Sequence, residues 1–166
     1  MSTFSRIFRH LRTTSAAGRR AFPPDALRAI EEAIAQGETR HRAEVRVVVE
    51  PALDLQAVLN GMTPRERARE LFARYGVWDT EENCGVLVYI NLADHQVEIV
   101  ADRGVGRLVS AEEWSAVCRT MTQGFARGDY HASVIAAIGE LNGMLCRLYP
   151  DDGSTHNQLS NRPVML

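Results

Sequence analysis

The apolar pattern of the chain is clearest across two adjoining runs. Val86–Leu92 is almost wholly apolar and β-branched or aromatic, as a strand covered on both faces would be. After the turn residues Ala93, Asp94 and His95, Val97, Ile99 and Ala101 alternate with Gln96, Glu98 and Val100, which predicts a hairpin. Folding it about Ala93–Asp94 sets Gly85 opposite Asp102. Upstream, Glu44–Glu50 carries Val45, Val47, Val48 and Val49 and predicts another strand, which Pro51 ends. The remaining apolar positions follow helical spacing. Pro23 and Pro24 open a helix over Asp25–Gln36, with Leu27, Ile30 and Ile34 inward. Thr63, Pro64 and Glu66 form a capping-box pattern ahead of Leu71, Phe72 and Tyr75. Ser110 caps a helix striped by Trp114, Val117, Cys118, Met121 and Phe125. Gly128 and Asp129 break that stripe, and Val134, Ile135, Ile138, Leu141, Leu145 and Leu148 continue as another helix up to Pro150. Leu53–Leu59 reads as a short helix or loop.

The order is α-β-α-β-β-α-α, and a crossover helix joins the first two strands. It predicts an α/β fold with a mixed sheet flanked by helices. A right-handed crossover places the starts of the Glu44 and Gly85 strands at one end, where the third strand finishes at Asp102. Asp79, Glu81, Glu82 and Asn83 then gather beside Asp102 and Arg103, and Glu44 joins them. Convergent carboxylates repel unless a cation or arginine neutralises them. Asp79, Glu82, Asn83 and Asp102 are the preferred oxygen ligands for a divalent ion. Calcium, which tolerates six to eight oxygens, suits them better than magnesium. The plainer alternative is an exposed loop paired with Arg103 and with Arg40 or Arg42. Trp78 is expected to pack over the helix end.

These residues resemble the core of TPM-domain proteins. Gly85-Val-Leu-Val-Tyr-Ile-Asn followed by Val97-Glu-Ile-Val-Ala-Asp-Arg-Gly104 carries the resemblance. Phe125-Ala-Arg-Gly-Asp-Tyr130 and Arg69-Glu-Leu-Phe-Ala-Arg-Tyr-Gly-Val-Trp78 extend it across roughly residues 38–149. The resemblance implies an α/β sandwich, an acidic loop site for calcium or another divalent ion, and, in some members, a disputed acid-phosphatase activity. Many members carry Gly-Arg-Gly-Leu-Glu-Gly and then Thr-Asp. This chain has Asp102-Arg-Gly-Val-Gly-Arg107 and then Ser110-Ala111, so two family acids are missing and Asp102 stands where glycine is common.

Composition narrows the chemistry. A chain of 166 residues buries roughly two thirds of its unfolded surface, enough for one domain. It contains no lysine, which excludes a P-loop and Schiff-base chemistry. Gly104 and Gly106 lack the third glycine of a dinucleotide loop and read as turn glycines. Cys84, Cys118 and Cys146 form no CxxC pair, and His10, His41, His95, His131 and His156 are scattered, so zinc is not expected. Neither a nucleotide nor haem is among the expected cofactors.

Charge divides the chain. Residues 1–20 carry Arg6, Arg9, Arg12, Arg19 and Arg20 without an acid, a local +5, which leaves −7 to the remainder for a net −2. Phe4, Ile7, Phe8 and Leu11 share a helical face there. The expected organisation is a basic amphipathic arm over 1–20, an α/β domain over 21–150 and a loosely wrapped polar tail over 151–166. The arm is expected to dock its apolar face on the domain or on a second copy in a homodimer, with peripheral contact to an anionic membrane as the alternative. No signal peptide or membrane-spanning run is readable, and a cytoplasmic location is expected. The acidic body argues against nucleic acid. The functional expectation is binding, of a divalent ion or a partner protein, at the acidic loop. Its rival is a weak metal-dependent phosphatase in which Arg103 steadies the phosphate; no catalytic residue is named.

Overall fold

The computed structural model describes residues 3–154 and 157–166, so His156 lies outside the described residues. In chain order the elements are α1 (Thr3–Arg12), α2 (Ser15–Ala21), α3 (Pro24–Glu38), β1 (Glu44–Glu50), α4 (Leu55–Leu59) and α5 (Pro64–Arg74). They continue with β2 (Gly85–Asn91), β3 (Gln96–Ala101), α6 (Arg103–Gly106), α7 (Ala111–Ala126), α8 (Tyr130–Leu148) and β4 (Val164–Met165). The fold is α/β, with a four-stranded mixed sheet in the order β3-β2-β1-β4. β1 and β2 are parallel with Glu44 opposite Gly85, and β2 and β3 are antiparallel with Val86 opposite Ala101. The Asp102 amide donates to the Gly85 carbonyl at 2.8 Å, which completes the register expected from the turn.

Alternation along the strands sorts their side chains between two faces. Val45, Val47, Val49, Val86, Val88 and Ile90 meet α3, α7 and α8 in the larger core. Val48, Leu87 and Tyr89 meet Ala68 and Leu71 of α5 on the other face. The capping box expected at Thr63 forms, and the cap at Ser110 is a capping box as well. The Thr63 hydroxyl accepts from the Glu66 amide and the Glu66 carboxylate accepts from the Thr63 amide, and Ser110 and Glu113 repeat the exchange.

The C-terminal segment departs from expectation. Instead of wrapping loosely throughout, it supplies β4, which runs parallel to β1 beside Val48 and Val49. Val164 and Met165 are too short a run to announce a strand. Arg103–Gly106, expected as a turn, forms the short helix α6, capped by Asp102. Trp78, expected to pack over the helix end, is 55% exposed.

The arm was expected to dock its apolar face on the domain or on a second copy; the contact it makes with its own domain is of another kind. α1 docks through its polar face, and Phe4, Phe8 and Leu11 are 85%, 58% and 62% exposed. Arg6 donates through Nε and Nη2 to the Asp94 carboxylate, at 3.0 and 2.8 Å, and through Nη2 to the Met62 carbonyl at 2.6 Å. Arg9 Nε donates to the Ala93 carbonyl at 3.0 Å. His10 is buried, and its Nδ1 accepts from the Leu53 amide at 3.0 Å, which leaves Nε2 as the N–H side, 3.1 Å from Asp94 Oδ1. The physical reason is Asp94 itself. A largely buried carboxylate at the hairpin tip needs cationic and donor partners, and residues 6, 9 and 10 share one helical face.

This docking continues a polar chain across the C-terminal ends of β1 and β2. Asn91 Oδ1 accepts from the Asp94 amide at 2.9 Å, and Asn91 Nδ2 donates to the Tyr89 hydroxyl at 3.0 Å. Tyr89 donates to Glu50 at 2.6 Å, and Arg67 grips Glu50 with two hydrogen bonds of 3.0 and 2.7 Å. Burial by itself would raise the Asp94 carboxyl, but Arg6 and the neighbouring His10 ring hold it below the ordinary aspartate range.

Candidate functional site at the acidic end

The N-terminal ends of β1 and β2 bring the loop before β2 against the turn after β3. The loop is pinned by the Thr80 hydroxyl, which accepts from the Cys84 amide at 3.0 Å, and by Asn83 in the left-handed region, with φ of 53°. The Gly104 amide donates to the Asn83 carbonyl at 2.9 Å. A Cβ at Gly104 would lie 2.5 Å from that carbonyl oxygen, 2.8 Å from the Glu82 carbonyl and 2.6 Å from the Tyr149 hydroxyl. The two segments therefore interlock only because residue 104 is glycine.

The four expected ligands meet different fates. Asp102 is buried at the start of α6. Its Oδ1 accepts from the Arg103 amide at 2.7 Å, and its Oδ2 has no hydrogen-bond partner among the described residues. Asn83 lies across Gly104 from Asp102, with its side chain exposed. Glu82 is held by Arg42 in a two-bond pair of 2.6 and 3.0 Å, the arginine pairing weighed in the sequence. Asp79 stands exposed on the turn after α5. Arg103, the residue expected to steady a phosphate, is exposed at the first position of α6. Among the described residues no group of three or more His, Cys, Asp or Glu is arranged to hold a metal ion.

Other acids at this end have structural partners. Glu44 accepts from the Gln158 and Leu159 amides, each at 3.0 Å, and so turns toward the C-terminal segment rather than toward Asp102. Glu38 was missed in the sequence. It ends α3, accepts from the Val45 amide at 2.9 Å through Oε1, and has the Asn161 side chain as a second, weaker polar partner. Burial, opposed by the Val45 hydrogen bond and reinforced by Glu44, pushes its carboxyl up to about 8. Glu38 and Glu44 line an open cleft with Thr39, Asp151 and Asn157. Tyr149 was missed as well. Burial raises its hydroxyl, and the nearby Cys84, Glu82 and Asp102 raise it further against the lowering effect of Arg42. No local pattern announces either role, because both depend on which distant segments meet there.

The chain resembles the BA42 protein of the psychrophilic bacterium Bizionia argentinensis, solved by NMR, with a TM-score of 0.76 and 22% sequence identity over 86% of this chain and 93% of that one. At that identity the likeness speaks to the fold. No curated protein sequence matches the chain. The TPM-domain family profile matches residues 19–144, from the end of the basic arm to the last turns of α8, and the chain belongs to the TPM-domain family.

Proposed function

We propose that this TPM domain is a binding module that takes a divalent cation, with calcium favoured, at the acidic end of the sheet. The observation that supports the reading is Asp102 Oδ2, a buried carboxylate oxygen without a donor, beside the loop that carries Asn83 and Glu82. Such an oxygen is costly to bury unless a proton or a cation meets it. Asp102 would be the anchoring ligand. The amide oxygen of Asn83 and loop carbonyls would complete a coordination shell of the tolerant kind that calcium accepts. Glu82 joins only by giving up Arg42, so the arginine acts as a built-in competitor for the ion.

Calcium titration of the full chain, read by amide NMR and by thermal unfolding, tests this. Stabilisation by mass action is expected, with shifts around Trp78–Gly85 and Ala101–Gly104. The Asp102→Asn variant should lose both effects, while Arg42→Ala should bind calcium several-fold more tightly. Absence of shifts at several millimolar calcium sinks the proposal and leaves the loop closed by its own ion pair.

A further inference from the structure

Eight large hydrophobic side chains are exposed among the described residues: Phe4, Phe8, Leu11, Leu55, Leu59, Trp78, Leu108 and Leu166. Five of the eight belong to α1 and α4, two helices that pack against each other. Single exposed apolar residues are ordinary, but a concentration on one helix pair is not. Internal demand does not explain it. α1 is already fastened to the domain by Arg6, Arg9 and His10, so its apolar stripe is held outward by the contacts that dock the helix.

We propose that this outward face of α1 and α4 is a docking surface for an anionic lipid bilayer. The charge around it selects that occupant. Residues 3–20 contain no acid. Arg12 sets its guanidinium over the Phe8 ring, 5.2 Å from the centroid, at the border of the apolar stripe. Arg19 and Arg20 follow on α2 and are exposed. Phenylalanine and leucine on one face, with arginine at the border, is the composition of a helix lying in the headgroup layer. A second copy would fit less well, because a two-fold contact brings each patch against itself and sets Arg12 near its own counterpart. An anionic headgroup neutralises the same arginines, each adding attraction near the surface. No helix among the described residues is long and apolar enough to cross a bilayer, so these helices would engage it from one side. The docked geometry also lowers the ordering cost. α1 is pre-formed on a rigid support, so the surface presents its side chains without first having to fold the helix.

Co-sedimentation with vesicles of phosphatidylcholine alone and of phosphatidylcholine with phosphatidylglycerol tests the proposal on the full chain. Binding to the anionic vesicles is expected to exceed binding to the neutral ones by at least about tenfold and to weaken as salt is raised. The variant F4S/F8S/L11S, altered only at exposed positions, should keep the parent melting temperature and fall to the neutral-vesicle level. The variant R12A/R19A/R20A should lose the preference for anionic lipid. Equal binding by the parent and the apolar triple variant, or no binding by the parent, overturns the proposal. So does a concentration-dependent dimer, measured by ultracentrifugation, that the triple variant abolishes without any vesicle binding, since that result gives the face to a second copy.

Discussion

The two ends of the sheet handle buried charge in opposite ways. At the C-terminal ends of β1 and β2, Glu50 is met by Arg67 and Tyr89, and Asp94 is met by Arg6, with Arg9 and His10 close by. At the N-terminal ends, Asp102 keeps a buried oxygen without a partner among the described residues, and Glu38 is met by the Val45 amide and the Asn161 side chain rather than by an arginine. Both ends are acidic in sequence, so counting acids does not separate them. What separates them is the supply of donors from elsewhere in the chain: α1 and α5 deliver three arginines to one end, whereas at the other Arg42 is occupied by the exposed Glu82. A matched end holds structure together. An end with a spare oxygen has capacity for a proton or an ion.

The comparison breaks most severely at Arg67. Replacing it with alanine leaves Glu50 buried beside the Tyr89 hydroxyl with its main cationic partner gone. A loss of about 3 kcal/mol in unfolding free energy is expected. Urea midpoints at neutral pH measure it, and a loss under about 1 kcal/mol would mean that water reaches Glu50 and that the end is not closed.

A pH experiment sharpens the contrast at the other end. The folded Glu38 carboxyl, at about 8, lies above its ordinary value of 4.5. The protonated form therefore stabilises the fold fully below about 4.5, and that contribution is lost as pH rises through 8. A glutamine at this position would stay neutral throughout while still offering an oxygen to the Val45 amide. Glu38→Gln should gain about 2 kcal/mol on the parent between about pH 5 and about pH 6.5, read from urea unfolding at each pH. A difference that does not change with pH would show that Glu38 titrates as an ordinary exposed carboxyl.

The smallest effect is expected at Asp94. Asp94→Ala removes the shared partner of Arg6, Arg9 and His10, but both arginines are part-exposed and can turn to water. A loss of about 1.5 kcal/mol is expected, with α1 amides becoming mobile in heteronuclear NOE measurements. If α1 stays ordered, its carbonyl contacts to Met62 and Ala93 suffice to dock it.

Legibility in the sequence followed the range of the information. β1 and β2 announced themselves as apolar, β-branched runs, β3 through period-two alternation, and the capping box at Thr63 and the cap at Ser110 through local residues, all within one segment. The crossover and the Ala93–Asp94 turn then set the register that brings Asp102 to Gly85. The arm was readable as a helix but not as to which face it docks. It has two stripes, apolar at 4, 8 and 11 and polar at 6, 9 and 10, and choosing between them requires knowing that Asp94 is buried. The candidate site split in the same way. The proximity of the loop at 82–83 to the turn at 102–104 followed from topology, whereas the pairing of Glu82 with Arg42 and the role of Glu38 depend on side chains forty and seven residues from their partners.

Glu38 also bears on how the sheet meets its surroundings. β4 pairs with β1 only beside Val48 and Val49, which would leave the earlier part of β1 as a bare edge. There the Val45 amide is taken by the Glu38 carboxyl, and the Arg46 guanidinium reaches the Arg162 carbonyl at 3.1 Å. An edge amide claimed by a side chain is withdrawn from pairing with an incoming strand. The start of β1 thereby offers an incoming strand one donor fewer than a bare edge would.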